Sequence, residues 1–252
     1  MLELVNLSAG YKNKRVISGI SLSFPKGKLT SVIGANGSGK STLLKAIIGI
    51  IPRECESLTA DKTDLTRLNR KETARKIACL PQGRAVPDMT VGQLVLHGRF
   101  PHLSYPRRYR ETDRKAADDA MERMGIIDLA DKPLASLSGG MRQNAYIAMA
   151  LAQDSDYILL DEPTTYLDVS HQLGLMKTLK RLAGDGKGIV AVLHDLPLAF
   201  SYSDFITIID GGQAVMTGTP EEVCKSGIVG RVFGTELVYD ENKRQFGYDF
   251  GL

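Results

Sequence analysis

The feature that most constrains this chain is the glycine-rich stretch at residues 34–41, which reads GANGSGKS. It fits the phosphate-loop pattern G-x-x-x-x-G-K-S/T. The residues before it, 29–33, are apolar and β-branched at alternate positions and predict a buried strand. Residues 42–48 carry apolar side chains four positions apart and predict a helix. Since a phosphate loop needs a strand before it and a helix after it, the context supports a nucleotide-binding loop.

Each residue type in this stretch has a chemical reason. The glycines at 34, 37 and 39 let the backbone curl so that N–H groups point inward at an anion. The N-terminus of the following helix adds its positive dipole end. Lys40 supplies a mobile positive charge for the β- and γ-phosphates, and the Ser41 hydroxyl is a hard oxygen ligand for Mg²⁺. We therefore predict that the chain binds a nucleotide.

Composition sets only broad limits. The 252 residues allow one large domain or a core with a subdomain, and the net charge of +3 does not by itself favour nucleic acid or an anionic membrane. The cysteines, Cys55, Cys79 and Cys224, are far apart, which argues against a disulfide framework or a zinc site and is typical of a reducing cytosol. The longest apolar run, residues 43–51, is too short for a bilayer, so any membrane role is expected to come through a partner.

The first 33 residues predict β structure. Alternating patterns at 2–7 and 16–24 favour strands, and a turn is predicted at 25–27. Tyr11 lies between the first two, where its ring could stack on a purine or could pack half-buried against its neighbours. The residues alone leave both interpretations open.

Residues 88–135 predict a helical insertion. Helical patterns at 89–96 and 111–124 are separated by a loop that contains Pro101 and Pro106. A basic cluster begins at residue 107, but acidic residues follow it directly. A solvated helix face is therefore favoured over a nucleic-acid-binding patch.

The strongest second signal is an apolar strand at 157–160 that ends in adjacent carboxylates, Asp161 and Glu162. Beside a phosphate loop, Asp161 is expected near the Mg²⁺ held by Ser41. Glu162 would then be placed to polarise a water in line with the γ-phosphate. Acidic residues are also common caps of strands, but the combination with a phosphate loop favours the catalytic interpretation.

Three other polar stretches carry weaker signals. His194 follows a predicted strand at 189–193, on the side where α/β sheets bind ligands. Gln82 follows a predicted strand at 76–80, from which its amide could reach a metal or an attacking water. Residues 138–140, Ser-Gly-Gly, open a helix predicted to end near residue 153, which gives either a second anion-binding end or a plain capped turn.

In order and spacing, five motifs resemble those of the ATP-binding-cassette (ABC) ATPases over residues 2–233. They are GANGSGKS, the LPQ around Gln82, LSGGMRQ from Leu137, ILLDEPTTYLD from Ile158 and the LHD ending at Asp195. The resemblance implies an α/β fold: a P-loop NTPase core with a mostly parallel sheet, an N-terminal antiparallel β subdomain, and a helical insertion at about 88–155, in one domain over 1–252. It also implies an enzyme that binds ATP and Mg²⁺ and hydrolyses ATP.

The resemblance further assigns roles to individual residues. Two such chains would face each other head to tail around two ATP molecules, so that Ser138, Gly139 and Gly140 of one complete the γ-phosphate site of the other. Tyr11 would stack on the adenine, with Val16 beneath it. The remaining implied residues are Asn36, Gly37, Ser38, Gly39, Lys40, Ser41 and Thr42 for the nucleotide, Ser41, Gln82 and Asp161 for the metal, Glu162, His194, Gln82 and Lys40 for catalysis, and Asp168 in the loop that joins the two sites.

Two residues depart from the usual pattern of the family. Met141 stands where the signature usually has Gln, and Tyr166 stands where a small residue is usual. Because Ser138 and both glycines are present, we expect the ATPase activity to remain. Tyr166 is expected to affect how tightly the two halves close.

Within the family, residues 91–105, the HDLPLAF stretch and the GTPEEV tail resemble importers of iron–siderophore, haem or cobalamin complexes. This implies a homodimer on the cytoplasmic face of the membrane, with a permease whose cytoplasmic helix enters a groove formed by the Gln82 loop and the helical insertion. An external substrate-binding protein would act indirectly, and no nucleic acid is expected. The alternative is a soluble ABC ATPase that acts on nucleic acid or in cofactor assembly, supported only by the basic cluster and a pI near 8.7.

Overall fold

The computed structural model of the protein describes residues 1–12, 14–83, 86–240 and 245–249. The strands in chain order are β1 (Leu2–Tyr11), β2 (Lys14–Phe24), β3 (Leu29–Ile33), β4 (Arg53–Glu54), β5 (Ser57–Ala60), β6 (Thr63–Asp64), β7 (Ile77–Leu80), β8 (Tyr157–Asp161), β9 (Gly188–Val192), β10 (Phe205–Asp210), β11 (Gln213–Gly218), β12 (Glu236–Asp240) and β13 (Gln245–Asp249). The α-helices are α1 (Lys40–Ile47), α2 (Arg70–Lys76), α3 (Val91–His97), α4 (Glu111–Arg123), α5 (Gly139–Ala152), α6 (Val169–Gly184), α7 (Leu196–Tyr202), α8 (Pro220–Lys225) and α9 (Ile228–Phe233).

The larger sheet has the strand order β11-β10-β3-β9-β8-β7. Its strands run parallel except β11, which turns back antiparallel to β10. Every residue of β3, β8 and β9 is buried, as expected for parallel strands covered on both faces. The predicted mostly parallel core is confirmed, and the strand predicted at 29–33 has the observed bounds.

Successive side chains of β8 pack into different cores because strand residues alternate between the two faces of a sheet. Ile158 and Leu160 join helices α3–α7 in one core. Tyr157 and Leu159 join α1 and the N-terminal strands in the other. The sheet is therefore the middle layer of the molecule, and helix α1, which follows the phosphate loop, lies on the face toward the N-terminal strands.

The N-terminal strands form a second sheet with the order β2-β1-β5-β6, in which neighbours are antiparallel and β4 also pairs with β1. The predicted antiparallel β subdomain is thus confirmed, but β1 continues past residue 7 to Tyr11, and β2 begins at Lys14. The pairing of β1 with β2 contains several register shifts. These shifts interrupt the alternating pattern, which is why the sequence predicted strands that were too short.

The helical insertion is confirmed by helices α3, α4 and α5, which pack on one another. Helix α3 begins at Val91 rather than residue 89, because Thr90 caps it and forms a capping box with Gln93. Asp113, predicted on a solvated face, is instead buried, since it pairs with Arg99 at 3.1 Å. That residues 1–252 form one domain stays a prediction.

The sequence patterns did not predict helix α2. Its segment was predicted to be polar and without a helix, followed by a strand. Its signal is the capping box of Asn69 and Glu72. The helix ends at Lys76, so strand β7 begins at Ile77, one residue later than predicted. Among the described residues no helix is both long and apolar enough to cross a bilayer. The three cysteines all lie in the described ranges and form no disulfide.

A charged network joins the chain start to the central sheet. Asp61 is within 2.6 Å of the Met1 amine and 2.7 Å of Lys26, and it accepts a hydrogen bond from the Tyr157 hydroxyl at 2.8 Å. Burial alone would raise the pKa of Asp61, but hydrogen bonds from Lys26, the terminal amine and Tyr157 outweigh it and hold the pKa well below its usual range. The ionised carboxylate therefore stabilises the fold.

We expect Asp61→Asn to lower the free energy of unfolding by about 1–2 kcal/mol at pH 7, because an ionised partner is lost from a partly exposed network of ion pairs and hydrogen bonds. The folded-state pKa of Asp61 is depressed, so its contribution is fully present above the unfolded pKa and is lost as the pH falls through the folded pKa. The difference from the parent protein should therefore shrink below about pH 4.

Urea unfolding at several pH values checks this prediction. The exposed Asp119→Asn on helix α4 is the control and should be near neutral. Equal stability of Asp61→Asn and the parent at pH 7 would contradict the structural role of the network.

Candidate nucleotide-binding and catalytic site

A cleft of about 490 Å³ opens at the carboxyl edge of the central sheet, beside the N-terminal strands. Eleven of the residues predicted for the nucleotide or for catalysis line it together. They are Tyr11, Val16, Asn36, Gly37, Gly39, Lys40, Ser41, Thr42, Gln82, Glu162 and His194, with Lys14 and Arg15 as the other lining residues.

The phosphate loop joins β3 to α1, and its conformation depends on glycine at Gly39. The φ angle there is 107°, in the left-handed region. A Cβ on Gly39 would lie only 2.5 Å from Cγ2 of Ile17 in the N-terminal sheet. Any other residue would therefore strain the backbone and displace the loop from the β subdomain.

Lys40 points back into the loop and is nearly buried. Its Nζ donates hydrogen bonds to the carbonyl oxygens of Gly34 at 2.8 Å and Ala35 at 2.9 Å. Burial lowers the pKa of Lys40, while the charges of Glu162 and Asp161 act in the opposite direction. A buried ammonium held by backbone carbonyls is a ready counter-charge for an anion bound in the loop.

Ser41 and Asp161 bring two hard oxygens together at the start of α1 and the end of β8. The Ser41 hydroxyl donates to Oδ1 of Asp161 at 2.9 Å. Asp161 is 4% exposed; burial raises its pKa, and the Ser41 hydrogen bond opposes only part of this. A cation beside Asp161 would relieve this desolvation, so the pair fits Mg²⁺, which prefers oxygen ligands and takes the rest of its shell from water and phosphate.

Glu162 is held by side chains from the neighbouring strand ends. His194 Nε2 lies 2.5 Å from Oε1, and Gln82 Nε2 donates to Oε2 at 2.5 Å. Thr165, a residue that the sequence reasoning missed, also donates to Oε2 at 3.2 Å. The φ angle of Glu162 is 52°, in the left-handed region where non-glycine residues are uncommon, so local backbone strain is kept at this position.

The predicted signature and loop residues lie outside this cleft. Ser138 caps helix α5, and its hydroxyl accepts a hydrogen bond from the N–H of Met141 at 3.3 Å. Asp168 caps helix α6. A single chain therefore brings together the phosphate loop, Gln82, Asp161, Glu162 and His194, but not residues 138–140.

Sequence and structure comparisons agree on the family. The ABC transporter family model matches residues 17–165. The chain belongs to the ABC transporter family. It is therefore an ATP-binding domain that hydrolyses ATP.

The relatives cover nearly the whole chain. The petrobactin import ATP-binding protein FpuD of Bacillus anthracis is 40% identical over 93% of this chain and 87% of its own length. The iron(3+)-hydroxamate import ATP-binding protein FhuC of Bacillus subtilis (strain 168) is 39% identical over 95% of this chain and 90% of its own length. Among solved structures, cbiO1 from Clostridium perfringens, part of the ABC transporter complex cbiONQ, superposes with a TM-score of 0.79, at 28% identity over 91% of this chain and 92% of that chain.

We expect Lys40→Ala to weaken ATP binding about ten- to a hundredfold, since a hydrogen bond to a charged group is worth about 1.5–3 kcal/mol. Isothermal titration calorimetry on the purified chain measures this directly. Lys62→Ala, an exposed lysine outside the cleft, is the matched control and should bind like the parent. Unchanged affinity in Lys40→Ala would contradict the placement of the phosphates in this loop.

Proposed function

We propose that this chain is the ATP-hydrolysing subunit of an importer for iron–siderophore complexes or chemically related haem or cobalamin chelates. The observation that carries the catalytic part is the Glu162 carboxylate, held by Gln82 and His194 at the mouth of the phosphate-loop cleft. The cargo class rests on relatives such as FpuD and FhuC, whose names specify import of petrobactin and iron(3+)-hydroxamate. Those relatives also disfavour the alternative of a soluble ATPase acting on nucleic acid or in cofactor assembly.

ATP would enter with its adenine toward the N-terminal sheet. Tyr11 is 44% exposed at the cleft, and Val16 lines the same wall, so a purine ring could stack on the tyrosine above the valine. The phosphates would lie on the backbone N–H groups of residues 36–42 at the start of α1, with Lys40 as their counter-charge. Residue types and cleft geometry support this orientation.

Ser41 and Asp161 would hold Mg²⁺. Gln82, the third predicted ligand, donates a hydrogen bond to Glu162, the residue after Asp161. When bound, the ion supplies positive charge to the phosphate oxygens as the leaving group departs. The donor set supports the assignment because serine and aspartate oxygens converge at 2.9 Å. No group of three or more His, Cys, Asp or Glu side chains in the described ranges could hold a metal alone, so the site would depend on the nucleotide for its remaining ligands.

Glu162 would orient the attacking water and accept its proton. The water oxygen forms a bond to the γ-phosphorus, the bond from that phosphorus to the ADP oxygen breaks, and the proton moves toward the carboxylate. Gln82 and Thr165 donate to one oxygen of Glu162 and leave the other beside His194. His194 would then contact both the γ-phosphate and Glu162, and so would fix the position of the general base relative to the phosphate.

A second, identical chain would complete each site. Residues 138–140 lie at the N-terminus of α5, away from their own cleft, and Asp168 lies in the nearby loop before α6. A helix N-terminus offers backbone N–H groups and a positive dipole end to an anion. Head-to-tail pairing would bring this end to the γ-phosphate bound by the partner.

The permease would bind a groove of about 290 Å³ between the end of α1, helix α2 and strand β7. Ile50, 60% exposed, forms part of one wall, and Gln153 at the end of the helical insertion forms part of another. The Gln82 loop follows β7 directly, so a helix bound along β7 would lie beside the segment that leads to Gln82. The assembly would lie at the cytoplasmic face of the membrane, with an external binding protein delivering the chelate.

We expect Glu162→Gln to keep ATP binding but lower turnover by about 10²-fold or more, because the amide cannot accept the proton. It should also trap an ATP-bound dimer. Glu122→Gln, an exposed glutamate on α4, is the control for loss of a carboxylate elsewhere. Turnover near the parent rate in Glu162→Gln, measured by phosphate release, would contradict the role of general base.

The transport assignment is tested by purifying the full chain from detergent-solubilised membranes of its host and identifying the proteins that accompany it. We expect a polytopic permease in near-equal amount. Ile50→Glu should reduce that recovery, whereas Val238→Glu, at an exposed apolar position outside the groove, should not. Recovery of nucleic acid or a soluble partner without a permease would overturn import while leaving the ATPase chemistry intact.

A further inference from the structure

We infer that His171 is a positioning residue that locks the signature segment, residues 138–140, against the loop that ends at Asp168. The two segments that this chain would present to a partner's ATP would thereby move as one unit. This inference rests on the head-to-tail dimer proposed above. It concerns a histidine that the sequence reasoning left without a role.

The first link joins His171 to the loop. The backbone N–H of His171 donates to Oδ1 of Asp168 at 2.9 Å, and its ring Nδ1 lies 2.8 Å and 2.9 Å from the two carboxylate oxygens. The pKa of Asp168 is lowered by the backbone and ring hydrogen bonds from His171, so the carboxylate is ionised and can only accept. Nδ1 therefore carries the proton, and the ring orientation is set by Asp168.

The second link joins the same ring to the signature segment. A Cβ on Gly140 would lie 2.2 Å from Cδ2 of His171 and 2.8 Å from Cγ and Nε2. The far edge of the imidazole therefore lies directly against the Gly140 backbone. Only glycine fits at this position, because any side chain would displace the ring from Asp168.

The loop is also held by the next residue of the same helix. The amide of Gln172 donates to the carbonyl oxygens of Thr164 at 3.3 Å and Leu167 at 3.1 Å. Adjacent residues at the start of α6 thus bind two segments: Gln172 holds the loop, and His171 joins that loop to Gly140. A simple helix cap needs only Asp168 and would not require the ring to lie against another helix.

The arrangement matters because the N–H groups of the first turn of α5 have no acceptor within their own helix. The Ser138 hydroxyl accepts a hydrogen bond from the N–H of Met141. The N–H groups of Gly139 and Gly140 are therefore the donors left to bind a phosphate. A misplacement of about 1 Å at such donors can cost as much as 10²-fold in rate. A ring that fixes Gly140 would therefore control how well this chain completes its partner's site.

The His171 side chain is well exposed, at 49%, so its removal should affect the fold little. This separates a positioning role from a structural one. In the Glu162→Gln background we expect His171→Ala to weaken ATP-dependent dimerisation about tenfold or more, with ATP affinity of the monomer and melting temperature unchanged. His171→Gln, which keeps a donor for Asp168 but lacks the ring, should be intermediate.

The measurement is analytical ultracentrifugation of the full chain with and without ATP and Mg²⁺, with nucleotide binding measured on the dilute monomer. Lys177→Ala, an exposed residue farther along α6, is the matched control. Dimerisation of His171→Ala as strong as that of the Glu162→Gln parent would overturn the role of His171 alone. Failure of the Glu162→Gln parent to dimerise with ATP would overturn the proposed head-to-tail dimer, and the role of His171 with it.

Discussion

The proposed catalytic arrangement depends on the contacts that hold the Glu162 carboxylate between Gln82 and His194. They exist because β7, β8 and β9 are neighbours in one parallel sheet, with Leu80 paired to Leu160 and Asp161 paired to Val192. Parallel strands end at a common edge, so residues far apart in sequence meet there. A slip of one residue in β8 would turn its carboxylates to the opposite face.

Charge balance is the second constraint on this edge. Asp161 and Glu162 are adjacent carboxylates, and burial already raises the pKa of Asp161. Lys40 is the buried cation nearest to them in the loop, and its pKa is lowered by the same burial. The carboxylates and the Lys40 ammonium are each unfavourable without a partner, because an unpaired buried ion costs free energy. Binding of an anion with its own cation would satisfy both, which supports the proposal that the site takes a magnesium-bound nucleotide.

Sequence reasoning succeeded where the signal is local and failed where it is not. The strand before the phosphate loop was predicted with its observed bounds because all of it is buried and every residue but Ser31 is apolar or β-branched. The N-terminal strands were predicted too short because bulges break their alternation. The motifs named most of the cleft but left out Thr165, although its partner Glu162 is only three residues away. They could not indicate that the His171 ring lies against Gly140, because these residues are far apart in sequence. Asp113 looked solvated because its partner, Arg99, lies on the preceding segment.

In the proposed dimer each ATP is shared between two chains, with the phosphates in one chain's loop and the signature residues of the other completing the site. The most direct measurement is an electron cryomicroscopy structure of the Glu162→Gln protein with its permease, ATP and Mg²⁺. We expect two ATP molecules, each between Lys40 of one chain and Ser138 of the other. Nucleotide enclosed within a single chain, with residues 138–140 facing solvent, would contradict it.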